Sequence, residues 1–82
     1  MTQLQAEEVA EAAGKVLRRL RKEAGLSQEK LGFKATIQRN FVSEIELGQK
    51  QPSLFTVFKV AYALDLDPQD FMRLVQEELK KM

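Results

Sequence analysis

Eighty-two residues, 44% hydrophobic and 30% charged, are expected to form one small globular domain with a modest core and no second domain beside it. The chain has no Cys and no His, which removes disulfides, thiolate chemistry and zinc fingers and leaves few groups for acid–base catalysis near neutral pH. The net charge of +1 hides a split: residues 1–14 carry −3, residues 15–50 carry nine bases against four acids, and residues 51–82 carry four bases against five acids.

The first 24 residues are Pro-free and nearly Gly-free, and read as a helix from about Glu7 to Ala24. Val9, Ala13, Val16, Leu17, Leu20 and Ala24 follow its 3.6-residue period. Gly14 weakens the middle by roughly 1 kcal/mol relative to Ala, so the first two turns are where this helix would fray or separate. Gly25 ends it, and Ser27 caps a second, short helix on which Leu31 and Ala35 share the inner face. A turn near Thr36 leads to a third helix that turns Val42, Ile45 and Phe41 inward and leaves Arg39, Asn40, Ser43 and Glu44 outward. Gly48 stops it as a left-handed residue after the last turn. The polar loop Gln49-Lys50-Gln51-Pro52 follows, and Ser53 caps a fourth helix over about Leu54 to Leu64. Its inner face reads as Leu54, Val57, Val60, Ala61 and Leu64, with a second apolar line of Phe55, Phe58 and Tyr62 beside it. Asp67 caps the last helix, 68–81, with Pro68 at its favoured first position and a stripe of Phe71, Leu74, Val75 and Leu79. No strand pattern or repeat is present. The expected fold is all-α, a five-helix bundle.

Two short helices joined by a tight turn, the second with a polar outer face, have the geometry that inserts side chains into a DNA major groove. The run Gly25-Leu26-Ser27-Gln28-Glu29, the pattern Val42-Ser43-Glu44-Ile45-Glu46, then Gly48 and Pro52-Ser53-Leu54, resemble the Cro/repressor-type (XRE) helix-turn-helix family. The likeness needs no gap from about Leu17 to Leu66. Arg39-Asn40-Phe41-Val42-Ser43 is most similar to small controller and repressor proteins that consist of little else. The resemblance implies a lambda repressor-like DNA-binding domain with its core over 15–66 and its helix-turn-helix at about 27–47. Three positions depart from the family pattern. Thr36 stands where Gly is usual, and a β-branched residue in a left-handed turn is strained by roughly 1–2 kcal/mol. Gln38 replaces a Ser cap, and Gly32 replaces a small Ala at the approach of the two helices.

Each functional reading has a plainer competitor. Arg39 can hold guanine O6 and N7 in a fork, and Asn40 can do the same to adenine; by composition alone both are ordinary solvated residues. Gln38 and Ser43 join them as candidate base readers. Glu44 repels phosphate, so it either faces a cytosine amino group or turns toward Arg or Lys. The resemblance gives Gln28 a phosphate contact and a brace on the recognition helix. Lys50 and Gln51 read as phosphate contacts, against the alternative of a mobile loop tip. Glu46 lies between apolar Ile45 and Leu47 and needs a partner, and the resemblance pairs it with Arg21 as a structural ion pair. Phe55, Phe58 and Tyr62 suit helix packing. Together with Phe71, Leu74 and Leu79 they exceed what so small a core needs, which points to a dimer interface.

The basic excess of residues 15–50 falls on the binding element and the helix before it, as a nucleic-acid footprint should, although charge alone favours a plain solvated face. The sequence therefore predicts a transcriptional regulator that binds double-stranded DNA sequence-specifically, as a homodimer on a palindromic operator. The competing reading is an antitoxin or adaptor that keeps the fold and works through a protein partner. An enzyme, a metal site and a cofactor are not expected. With no apolar run near the roughly 20 residues of a membrane span and no signal-peptide pattern, a cytoplasmic protein is expected.

Overall fold

The computed structural model describes residues 3–82 and contains five helices in chain order. They are α1 (Ala6–Glu23), α2 (Gln28–Ala35), α3 (Arg39–Glu46), α4 (Leu54–Ala63) and α5 (Pro68–Lys81), and no strand occurs among the described residues. Three of the helices begin on the caps their sequences supply. Ser27 Oγ accepts from the Lys30 amide at 3.0 Å, Ser53 Oγ from the Thr56 amide at 3.1 Å, and Asp67 Oδ1 from the Gln69 amide at 2.8 Å. Each satisfies a donor that the first turn of a helix leaves free.

The first four helices all end the same way. Gly25, Thr36, Gly48 and Asp65 have φ of 72°, 58°, 74° and 56°, in the left-handed region. After each, the next amide reaches back five residues: Leu26 to the Arg21 carbonyl, Ile37 to Gly32, Gln49 to Glu44 and Leu66 to Ala61. This is the Schellman arrangement, which satisfies the last carbonyls of a helix and reverses the chain in a minimum of residues. Leu26, Ile37 and Leu66 follow the turn directly and pack against the core, so three of the reversals are also pinned by apolar burial.

α1 packs against α3 and α5, α2 against α3 and α4, and α4 against α5. The core they enclose is built on Val16, Leu17, Leu31, Val42, Ile45, Val60 and Phe71, all essentially fully buried. α1 is unbroken through Gly14, and the expected separation of its first turns does not occur. A Cβ on Gly14 would fall on the Ile45 carbonyl oxygen and within 2.9 Å of that of Glu46. The glycine lets the α1 and α3 backbones touch, and that packing holds the helix together across its weak point. Ala10 and Ala12 join the buried face, whereas Ala24, expected inward, is exposed at the helix end. Leu54, also expected inward, is exposed at the first position of α4, at the rim of a cleft it shares with Phe71 and Val75. Phe71 is the largest fully buried side chain, so its assignment to a dimer surface is corrected: the monomer core accounts for it. Leu74 and Leu79 are half-buried against the same core.

Candidate nucleic-acid interface

α2 and α3 are eight residues each, too short to persist in water on tertiary-free propensity, so their placement depends on packing. Val42 and Ile45 fix the inner face of α3 in the core, with Phe41 half-buried beside them. The opposite face at its start presents Gln38, Arg39 and Asn40. All three are exposed, and among the described residues none uses its side chain in a hydrogen bond or ion pair. Gln38 makes no side-chain cap, which leaves its amide as unengaged as the Arg39 fork. One turn on, Ser43 and Glu44 are half-buried, and Glu44 meets no cation among the described residues.

The turn between α2 and α3 uses Thr36 in the left-handed conformation where the Cβ clashes with the following carbonyl, at roughly 1–2 kcal/mol. Gly32 explains why the turn is nonetheless tight: a Cβ there would lie 2.7 Å from the Ile37 carbonyl oxygen. The small residue lets the start of α3 fold back against α2.

A buried polar network ties three elements to the end of α3. Arg21 Nε donates to Glu46 Oε2 at 2.6 Å and its Nη2 to Oε1 at 3.0 Å, while Nη1 donates to the Leu26 carbonyl at 2.9 Å. Gln28 Nε2 donates to the same Oε1 at 3.0 Å. The Glu46 side chain is only 2% exposed and that of Arg21 11%, so a carboxylate out of water receives three charge-matched or dipolar donors. The hydrogen bond to Glu46 raises the Arg21 guanidinium above its ordinary pKa, against the opposing effect of burial and with help from the carboxylate's charge. The bidentate fork links α1 to α3, the Leu26 contact ties in the α1–α2 turn, and Gln28 brings the start of α2 into the same lock. Gln28 thus acts as a brace; one amide hydrogen remains for an outside acceptor.

Of the two loop residues, Lys50 is exposed and free of side-chain partners among the described residues. Gln51 instead directs Nε2 toward the Ala6 carbonyl, at 3.5 Å, and so faces the start of α1. On α4, Phe55, Phe58 and Tyr62 are 71%, 41% and 66% exposed, with the Phe58 and Tyr62 rings edge-to-face at 6.1 Å. Phe58 also edges a cleft of about 610 Å³ bounded by Leu4, Val9, Met72 and Leu79. Two features were not legible in the sequence. Phe33 projects from the outer face of α2 at 87% exposure. Lys59 bridges α4 to the Thr36 turn across 23 residues, a contact that no local periodicity announces.

Residues 17–71 match the helix-turn-helix family model HTH_3. The control protein C.BamHI of Bacillus amyloliquefaciens is 35% identical over 60 residues, which span 72% of this chain and 74% of that protein. Among solved structures, the restriction-modification controller protein C.AhdI of Aeromonas hydrophila is 40% identical with a TM-score of 0.73, over 76% of this chain and 94% of its own. The clp gene regulator ClgR of Corynebacterium glutamicum superposes with a TM-score of 0.78 at 26% identity, over 84% of this chain and 90% of its own.

Proposed function

The chain belongs to the HTH_3 helix-turn-helix family, and from that premise we propose that it regulates transcription by sequence-specific binding of double-stranded DNA, with α3 in the major groove. The observation that carries this is the start of α3. Gln38, Arg39 and Asn40 stand exposed and unengaged on a helix whose other face and far end are locked into the core. Side chains held on a rigid element but left without partners are the arrangement that base readout needs. Arg39 reads guanine, with Gln38 and Asn40 on adjacent edges and Ser43 and Glu44 one turn deeper. Lys50 holds the flanking phosphate, joined by the free amide hydrogen of Gln28; Gln51 supports the loop. The likeness to two controller proteins favours a regulator that acts as a small single domain.

The active species is a homodimer. Phe55, Phe58 and Tyr62 form an exposed apolar line, Phe58 shares a cleft with Leu79 of α5, and surfaces of that kind are usually covered. Two copies related by a two-fold axis would read half-sites about one helical turn apart, and joining two weak readers raises affinity far above that of one. Such a protein works in the cytoplasm, beside its operator. Selection of bound duplexes from a random pool tests the reading: a palindromic consensus is expected. A pool that stays random through successive rounds would refute sequence-specific binding and leave the protein-adaptor role in its place.

A further inference from the structure

Lys59 lies on α4, one turn beyond Phe55, and its ammonium makes two contacts. Nζ sits 4.7 Å from the centroid of the Phe55 ring and 3.3 Å from the Thr36 carbonyl oxygen. The first distance suits a cation over an aromatic face, and the second is a long, solvent-exposed hydrogen bond from a charged donor. Thr36 is no ordinary acceptor. It is the β-branched one of the four left-handed residues that end helices here, and it sets the direction in which the chain leaves α2 to begin α3. Two of the others are glycines that adopt this conformation freely, and the fourth is Asp65, of a residue type that tolerates it. Thr36 has neither advantage. The charged donor on its carbonyl adds a contact to the Ile37 bond and the Ile37 burial that already close this turn, and the Phe55 ring lies against that donor.

We propose that Lys59 is a positioning residue for DNA recognition: it steadies the strained Thr36 turn and thereby fixes the angle at which Arg39 and Asn40 meet the groove. The proposal rests on the reading of α3 as the recognition helix. It assigns Lys59 a role distinct from a phosphate contact, and the two roles predict different behaviour. A lost phosphate contact weakens all duplexes alike and lowers the salt slope by about 1. A loosened turn costs affinity chiefly on the selected operator and leaves the salt slope unchanged.

The test compares Lys59→Met, Lys59→Arg, Thr36→Gly and the double variant Thr36→Gly/Lys59→Met. Two quantities are read: affinity for the selected operator and for a random duplex across a salt series, and amide hydrogen exchange of Ile37 in the free protein. The Ile37 amide closes the turn onto Gly32, so it reports the turn without DNA. Lys59→Met, which keeps the apolar stem, should lower operator affinity by about threefold to tenfold and speed Ile37 exchange by a similar factor. Lys59→Arg should restore both. In the Thr36→Gly background, where no strain remains to be offset, Lys59→Met should change either quantity less than about twofold. Equal losses in both backgrounds with a lowered salt slope would overturn the proposal in favour of a phosphate contact. Unchanged affinity and exchange in Lys59→Met would overturn it outright. If the unmodified protein binds no duplex, it is the proposed function that fails. The exchange cycle still judges the turn: faster exchange confined to the Thr36 background supports the role of Lys59, and equal exchange removes it.

Discussion

Gly14→Ala separates helix propensity from helix packing. In the middle of an 18-residue helix, propensity alone predicts a gain of roughly 1 kcal/mol from this change. The structure predicts the opposite sign. The new methyl would overlap the Ile45 carbonyl oxygen and lie 2.9 Å from the Glu46 carbonyl oxygen, where an ordinary contact is 3.4–4 Å. Both obstacles are backbone atoms of α3, so no side chain can rotate away; the helices must part. Overpacking of this kind costs about 1–3 kcal/mol, and a backbone-on-both-sides clash belongs at the upper end. After subtracting the propensity gain, a net loss of about 2 kcal/mol remains, which for a domain of this size lowers Tm by about 10 °C. Because the displaced segment carries Glu46, operator affinity should fall as well. Urea and thermal unfolding of the pair read the first effect, and duplex titration the second. A variant as stable as the parent, or more so, would refute the inference that α1 and α3 touch through their backbones at Gly14.

Glu46→Gln keeps the shape but removes the charge, leaving the Arg21 guanidinium buried without its counterion; a loss of about 3 kcal/mol is expected in urea unfolding, and an unchanged midpoint would deny the pair a structural role. Thr36→Gly should raise stability by about 1 kcal/mol through relief of the left-handed strain, and a lowered denaturation midpoint would mean the turn carries none. Phe55→Glu should turn a light-scattering mass of two chains into one at micromolar protein, whereas a parent that is itself monomeric would remove the basis for that surface. Arg39→Ala should cost about 1–3 kcal/mol per half-site and relax preference at one base pair, while Lys50→Ala should weaken every duplex and lower the salt slope. If Arg39→Ala weakened all sequences equally, Arg39 would be the phosphate contact and readout would fall to Gln38 and Asn40.

The helices were legible because their boundaries are chemical. Ser27, Ser53 and the Asp67-Pro68 pair name the starts, Gly25 and Gly48 name two of the ends, and the apolar period supplies most of the buried faces. The outward residues at the start of α3 were legible for the same reason, since Val42 and Ile45 fix its phase. What escaped was contact across distance. Gly14 reads locally as a weak helical residue, and only the carbonyls of a segment thirty residues on reveal why it is small. Phe71 and Phe58 carry the same apolar signal, yet one fills the core and the other faces out, because periodicity marks an apolar stripe without saying which helix covers it. Lys59 had no signal of its own.

The position of α3 is fixed at three points that do not involve its outer face. Gly14 admits its end to the α1 backbone, Gly32 admits its start to α2, and Glu46 clamps its last turn to Arg21 and Gln28. None of these uses Gln38, Arg39 or Asn40, whose side chains bear no load in the folded chain among the described residues. Exposed substitutions clear of caps and networks usually change stability by less than about 0.5 kcal/mol. On the proposed reading, substitution at those three positions alters sequence preference while the scaffold stays as it is. Changes at Gly14, Gly32 or Glu46 should displace α3 as well as lower the stability. Binding and unfolding should thus respond together in one set of positions and separately in the other, because in one the backbone of α3 is displaced and in the other only what it carries.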